Sequence, residues 1–272
     1  MADKFNDIAK NIEDVFDKNM SIGVLEKEIL DALKSELIKN INVSGGKVVG
    51  FEKSVGSIIS TAIKNFANNP VYEKSITNVL KNVGKISDEK LNIYKQSNLN
   101  VNKSDISDAQ KIVIQEYLDN LNEGGLNNTF NQSLRTLIYD NIKLGVSQDE
   151  LEKILKNKIV SGEVPSEISK YLKQSTLQAS DAYSKIVDNE IYKKYKQEIT
   201  GFRIIGSIID NSSSQCKEAV NKYDRYLTKD EMKLFLKKYE GKTIEGTTID
   251  NVSLRGLHWN CRHQVIPVIK NN

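Results

Sequence analysis

From about residue 21 onward, apolar side chains return at intervals of three and four, with lysines, glutamates and asparagines between them; that period fits an α-helix and not a strand. Over 21–41 the stripe is Ile22, Leu25, Ile29, Leu33, Leu37 and Ile41, and over 51–66 it is Val55, Ile58, Ile59, Ala62 and Phe66. A stripe of this width buries one helix face and leaves the other to solvent. Asn68-Asn69-Pro70 ends the second helix, because a residue before proline avoids the helical region. The same period predicts helices at about 71–84, 88–96, 106–121 and 129–144.

Two later starts are sharper. Ser147-Gln148-Asp149-Glu150 has the form of a capping box and follows Gly145, a helix-ending residue. Pro165-Ser166-Glu167 opens a segment running to about Ile199, with Leu172, Thr176, Ala179, Tyr183, Ile186, Val187 and Ile191 along one side. This helix is long and rather polar, and is expected to act as a connector or to pack only part of its surface. Asn42 to Gly46, Asn122 to Gly125 and the asparagine-rich 97–105 read as loops.

After Gly201 the pattern switches. The run from Phe202 to Ile209 is short and β-branched and reads as a strand. Helices are expected at about 213–222 and 228–239, the second opened by a Thr228–Glu231 capping box, and a hairpin or loop at 241–250. Gln264 to Ile269 reads as a last strand, and Pro267, which has no N–H to give, makes it an edge strand or a strand end. The expected fold is mainly α: an elongated multi-helix region over 1–165, a long connecting helix over 166–200, and a small α+β Cys/His-containing domain over 201–272.

Charge narrows the function classes. The 39 basic and 36 acidic residues nearly balance, at a net +3, whereas a dedicated nucleic-acid binder carries a clustered basic excess. The lysines therefore read as a solvated surface. No apolar run is long enough to cross a bilayer, and the N-terminus has no apolar core of a signal peptide, so the chain is expected in the cytoplasm, with no membrane partner. Two cysteines in 272 residues do not make a disulfide scaffold.

Both cysteines, both histidines and the single tryptophan fall between 216 and 263, with His258-Trp259-Asn260-Cys261-Arg262-His263 as the tight cluster. Thiolate and imidazole are the ligand types that zinc prefers, and Cys216, His258, Cys261 and His263 make up a set of four. The spacing is not a common zinc-finger one, and a buried thiol beside packed imidazoles explains the same residues without a metal. Cys261 with a histidine base is a second chemical reading, that of a Cys/His-dependent enzyme or toxin domain. No phosphate-binding glycine loop, dinucleotide fingerprint or zinc-deaminase pattern accompanies it. Asp210, after the strand, is expected to cap or hold the strand-to-helix turn, with Arg262 as its ion-pair partner.

These residues resemble a family. Asp210 followed by Cys216, then the closing Gly-Leu-His-Trp-Asn-Cys-Arg-His-Gln-Val-Ile-Pro-Val, resembles the C-terminal domain of the phage Mu F-like minor head proteins over roughly residues 167–272. Asp210 and Cys216 match the upstream motif; His258, Asn260, Cys261, Arg262, Ile266 and Pro267 match the closing one. Trp259 stands in place of the usual proline and His263 in place of a second cysteine, serines replace an Arg-Thr pair, and a second upstream cysteine is missing. The resemblance implies a structural, non-enzymatic protein of a tailed-phage head, made in the host cytoplasm and carried into the virion. Its partners would be the portal protein and the inner capsid or scaffold, with packaged DNA as a further contact and no small-molecule substrate. A DNA-contacting packaging factor is the remaining alternative.

Overall fold

The computed structural model describes residues 2–96, 99, 101–162, 164–206, 208, 210, 212–258 and 263–269. Its elements run α1 (Ala2–Asn19), α2 (Ile22–Asn40), β1 (Ile41–Ser44), β2 (Lys47–Phe51), α3 (Val55–Ala67), α4 (Pro70–Gln96), α5 (Lys103–Leu121), α6 (Glu123–Lys143), α7 (Gln148–Ile159), α8 (Glu167–Lys194), β3 (Gly201–Ile205), α9 (Ser214–Asn221), β4 (Tyr226–Thr228), α10 (Lys229–Lys238), α11 (Val252–Arg255) and β5 (Gln264–Val268). The chain is mainly α with a small α+β part at its C-terminal end. No helix among the described residues is long and apolar enough to cross a membrane.

Several boundaries differ from the sequence expectation. The helices predicted at 71–84 and 88–96 are one helix, α4. Gly84 inside it costs about 1 kcal/mol relative to alanine, which the burial of Val79, Val83 and Ile86 on either side offsets. Asn122 to Gly125 is a helix start and not a loop: the Asn122 side chain caps α6 by accepting from the Gly125 N–H at 2.9 Å. Asn42 to Gly46 belongs to a β-hairpin, whose turn uses Gly45 (φ 57°) and Gly46 (φ 75°), the pair of positive φ values that a tight two-residue hairpin turn requires.

The chain divides into two compact units, one of residues 1–15, 81–114 and 178–272, the other of 16–80 and 115–177. This differs from the serial division expected from the sequence, since residues 201–272 group with parts of α1, α4, α5 and α8. The physical reason lies in β3, which is buried on both faces and so needs helices from earlier in the chain to close its core.

In the unit of 16–80 and 115–177, α2 packs on α3 and α7, and α3 packs on α6. Leu25, Ile29, Leu33, Ile59, Ala62 and Leu126 are fully buried there, each large one worth about 1.5–3 kcal/mol of apolar burial. The capping box at Ser147 and Glu150 opens α7 as expected, and Gly145 (φ 72°) ends the turn before it. The buried Glu26 carboxylate holds the α7–α8 connection: it accepts from the Ser161 N–H (2.9 Å), the Ser161 hydroxyl (2.5 Å) and the Ser166 hydroxyl (2.6 Å). Ser166 in turn accepts from the Ser169 N–H at 3.0 Å, which caps the start of α8.

In the unit of 1–15, 81–114 and 178–272, three antiparallel strands stand in the order β4-β3-β5. Pro267 lies opposite Phe202 on the edge strand β5, where its missing N–H is tolerated. Thr228 and Glu231 form the second capping box and launch α10 directly from β4. From Ser184 to Asn189 every residue of α8 is buried, so the helix is no half-exposed connector here. Ser184 and Asp188 are interior because they meet the buried Lys90, and Lys185 pairs with Asp181 at 2.6 Å.

Candidate functional site

The Cys/His cluster is assembled by β3, β5 and the helix between them. β3 and β5 pair from Gly201–Val268 to Ile205–Gln264, which brings the two halves of the sequence motif side by side. Ser213 caps α9 by accepting from the Cys216 N–H at 3.2 Å, so Cys216 sits in the first turn of that helix. Its Sγ lies 3.2 Å from His258 Nε2, across 42 residues of sequence. This is within reach of a thiol–imidazole hydrogen bond, and both are soft metal-ligand types. The Cys216 side chain is 1% exposed.

His263 is buried immediately before β5 and packs on Gly206. Gly206 has φ 126°, and a Cβ built there would stand 3.1 Å from the His263 ring. Only glycine suits both conditions. The turn is held from behind by Arg225, which donates to the Gly206 carbonyl at 2.7 Å and is itself at φ 64°. Among the described residues, no three Cys, His, Asp or Glu side chains converge as metal ligands. The expected ligand Cys261, together with Trp259, Asn260 and Arg262, lies outside the described residues. What fits the expected soft-ligand set is therefore the Cys216–His258 pair.

Asp210 does not take the capping role expected of it, because Ser213, nearer the helix, fills that position. Asp210 is exposed, and its main-chain carbonyl accepts from Lys217 Nζ at 2.8 Å.

Sequence reasoning missed a second polar centre. Lys90 is fully buried and its ammonium lies 2.5 Å from Asp188 Oδ2, 2.9 Å from Gln264 Oε1 and 3.0 Å from the Ser184 hydroxyl. Tyr94 donates to the other Asp188 oxygen at 2.7 Å. Burial pulls the Lys90 pKa down and pushes those of Asp188 and Tyr94 up. Attraction between the two groups opposes burial for both partners. Through Gln264 this centre ties α4 and α8 to the residue that follows His263. The signal was present in the sequence: Lys90 continues the α4 stripe of Val79, Val83 and Ile86, a lysine at an apolar position.

Two shallow depressions lie on the other unit, about 340 Å³ lined by Val49, Phe51, Val55 and Tyr139 among others, and about 390 Å³ lined by Val24, Pro70 and Val71 among others. None of the Cys/His residues lines either. Comparison of the chain with protein-family models, with curated proteins and with solved structures finds no match in any of the three.

Proposed function

We propose that this chain is a minor head protein of a tailed bacteriophage, a structural and non-enzymatic component that binds the portal or the inner face of the shell during head assembly. The observation that carries this reading is the meeting of the two motif halves: Asp210 to Cys216 leads from β3, the closing run leads into β5, and Cys216 reaches His258. A motif whose distant halves fold as one unit is a better guide than either half alone. Cys216, 1% exposed, suits a structural role, since a substrate cannot meet its sulfur without local opening; the nucleophile of the enzyme reading would be Cys261.

In this reading the Cys/His cluster closes the C-terminal part of the chain. Cys216 and His258 would supply two ligands of a structural zinc, with Cys261 and His263 as the others; such a closed site adds stability and no reactivity. DNA is a secondary contact at most, given the near balance of charge.

The test is co-purification of the intact tagged chain with the portal protein encoded in the same genome. Retention of the portal through a moderate-salt wash is expected. Failure to retain the portal or procapsids, together with a thiol-dependent activity lost in Cys261→Ala, would move the assignment to the enzyme or toxin class.

A further inference from the structure

Apolar side chains of similar size often stabilise a core as well as a buried ion pair does. Lys90 and Asp188 are nonetheless kept in the core, with Tyr94, Ser184 and Gln264 buried around them. The two partners are the reacting groups of an amide, and they touch. Nζ of Lys90, on α4, lies 2.5 Å from Oδ2 of Asp188, on α8, with 98 residues between them.

Each group is held from a second side. The Lys90 nitrogen meets the Ser184 hydroxyl at 3.0 Å, the Ser184 carbonyl at 3.3 Å and Gln264 Oε1 at 2.9 Å. The carboxyl is held at its other oxygen, Oδ1, which accepts from the Tyr94 hydroxyl at 2.7 Å. The Tyr94 ring packs in turn on Phe5, with centroids 5.3 Å apart. Groups oriented in contact react as if at effective concentrations of about 10⁵–10⁸ M. Both side chains are wholly excluded from solvent, so water released there has little chance to return and hydrolyse the product. Burial also favours the neutral amine and the neutral acid over the two ions.

We propose that Lys90 and Asp188 become joined by an intramolecular amide bond once the chain has folded. The two carboxyl oxygens have separate parts. One proton passes from Nζ to Oδ2, which gives an amine and a carboxylic acid. The Nζ lone pair adds to Cγ, and negative charge gathers on Oδ1, where the Tyr94 hydroxyl donates to it. A second proton moves from Nζ to Oδ2, the Cγ–Oδ2 bond breaks, water leaves and the Cγ–Oδ1 double bond re-forms. Nζ keeps its third hydrogen as the amide N–H. Ammonium and carboxylate thus become amide and water, with no oxidant, cofactor or further reactant. The link fastens α4 to α8 beside Gln264, and so closes covalently the unit that carries Cys216 and His258. This inference does not rest on the reading of function above.

The test is the intact mass of the full native chain after several days at neutral pH. It is expected to be lighter than the encoded sequence by one water. Digestion should then yield a branched peptide that joins the segment of Lys90 to the segment of Asp188 and is uncut by trypsin at Lys90. An aspartate that closes on its own backbone also loses water, but gives a linear peptide, so the branch separates the two. Lys90→Arg, which keeps the cation and removes the amine, should keep its encoded mass. Tyr94→Phe leaves both reacting groups and should slow the loss of water at least about tenfold when refolding from urea is followed by mass. Variants at Lys90 or Asp188 lack the link as well as the ion pair. A native chain at its encoded mass, a loss of water without the branched peptide, or a loss that persists in Lys90→Arg overturns the proposal. An unchanged rate in Tyr94→Phe overturns the part given to Tyr94.

Discussion

Replacing Asp188 by alanine should be among the most damaging single changes available in this chain. The carboxylate accepts from Lys90 at 2.5 Å and from Tyr94 at 2.7 Å, with both charged side chains wholly excluded from solvent. Its removal strands an ammonium among neutral acceptors, the Ser184 hydroxyl and Gln264 Oε1, and leaves a buried hydroxyl without its acceptor. Breaking a buried pair from one side costs about 3–5 kcal/mol. That is a large part of a domain's total of roughly 5–15 kcal/mol. For a unit of this size it corresponds to a fall in Tm on the order of 10 °C. Urea unfolding followed by far-ultraviolet circular dichroism, with amide exchange at 184–192 and 264–268, measures both the loss and its location. The double change Lys90→Met with Asp188→Leu removes both charges and should cost less than Asp188→Ala alone. A loss under about 1 kcal/mol in the single variant, or a double variant as damaged as the sum of its two singles, would refute the reasoning.

Acid should act elsewhere, at Glu218. Its pKa is drawn down from the ordinary 4.5 to about 2, by the Lys238 ammonium first and the Tyr239 hydroxyl (2.6 Å) second. A depressed folded-state carboxyl stabilises the fold above its unfolded pKa and loses that contribution as pH falls through the folded one. Stability should therefore decline between about pH 4.5 and 2, and Glu218→Gln should remove part of that slope in an acid titration followed by circular dichroism. Gly206→Ala should cost about 1–3 kcal/mol, because the φ of 126° strains an alanine and its Cβ would stand 3.1 Å from the His263 ring; a neutral change in urea midpoint would contradict the packing described. Elemental analysis of the purified chain should find about one zinc per molecule, reduced in Cys216→Ala, and a metal-free native chain would leave the Cys216–His258 contact as a plain hydrogen bond.

The parts of the fold that were legible in the sequence are those fixed by local chemistry. The stripes of α2 and α3, the capping boxes at Ser147 and Thr228, and the edge strand that holds Pro267 depend on neighbours within a turn or two, and they stand where the sequence put them. Glycine was ambiguous, since the same residue reads as a loop at Gly45, a helix start at Gly125 and mid-helix at Gly84; tertiary context decides which. The stripe of α1, with Phe5, Ile8, Ile12 and Val15 buried, was present at helical spacing and went unread. The Lys90–Asp188 pair could not be read as a pair, because 98 residues separate its members, although Lys90 alone stands out at an apolar position of the α4 stripe. For the site, the residue types and the candidate set followed from clustering, whereas the contact of Cys216 with His258, the cap at Ser213 and the glycine seat of His263 needed coordinates.

The most direct test of the assignment is the protein composition of purified phage particles, measured by quantitative mass spectrometry on procapsids and on DNA-filled heads. The minor-head reading predicts the chain in both, or in procapsids at least, at a low copy number comparable with that of the portal and far below the major shell protein. Its absence from both particles, in a lysate that contains the chain in quantity, would contradict that reading.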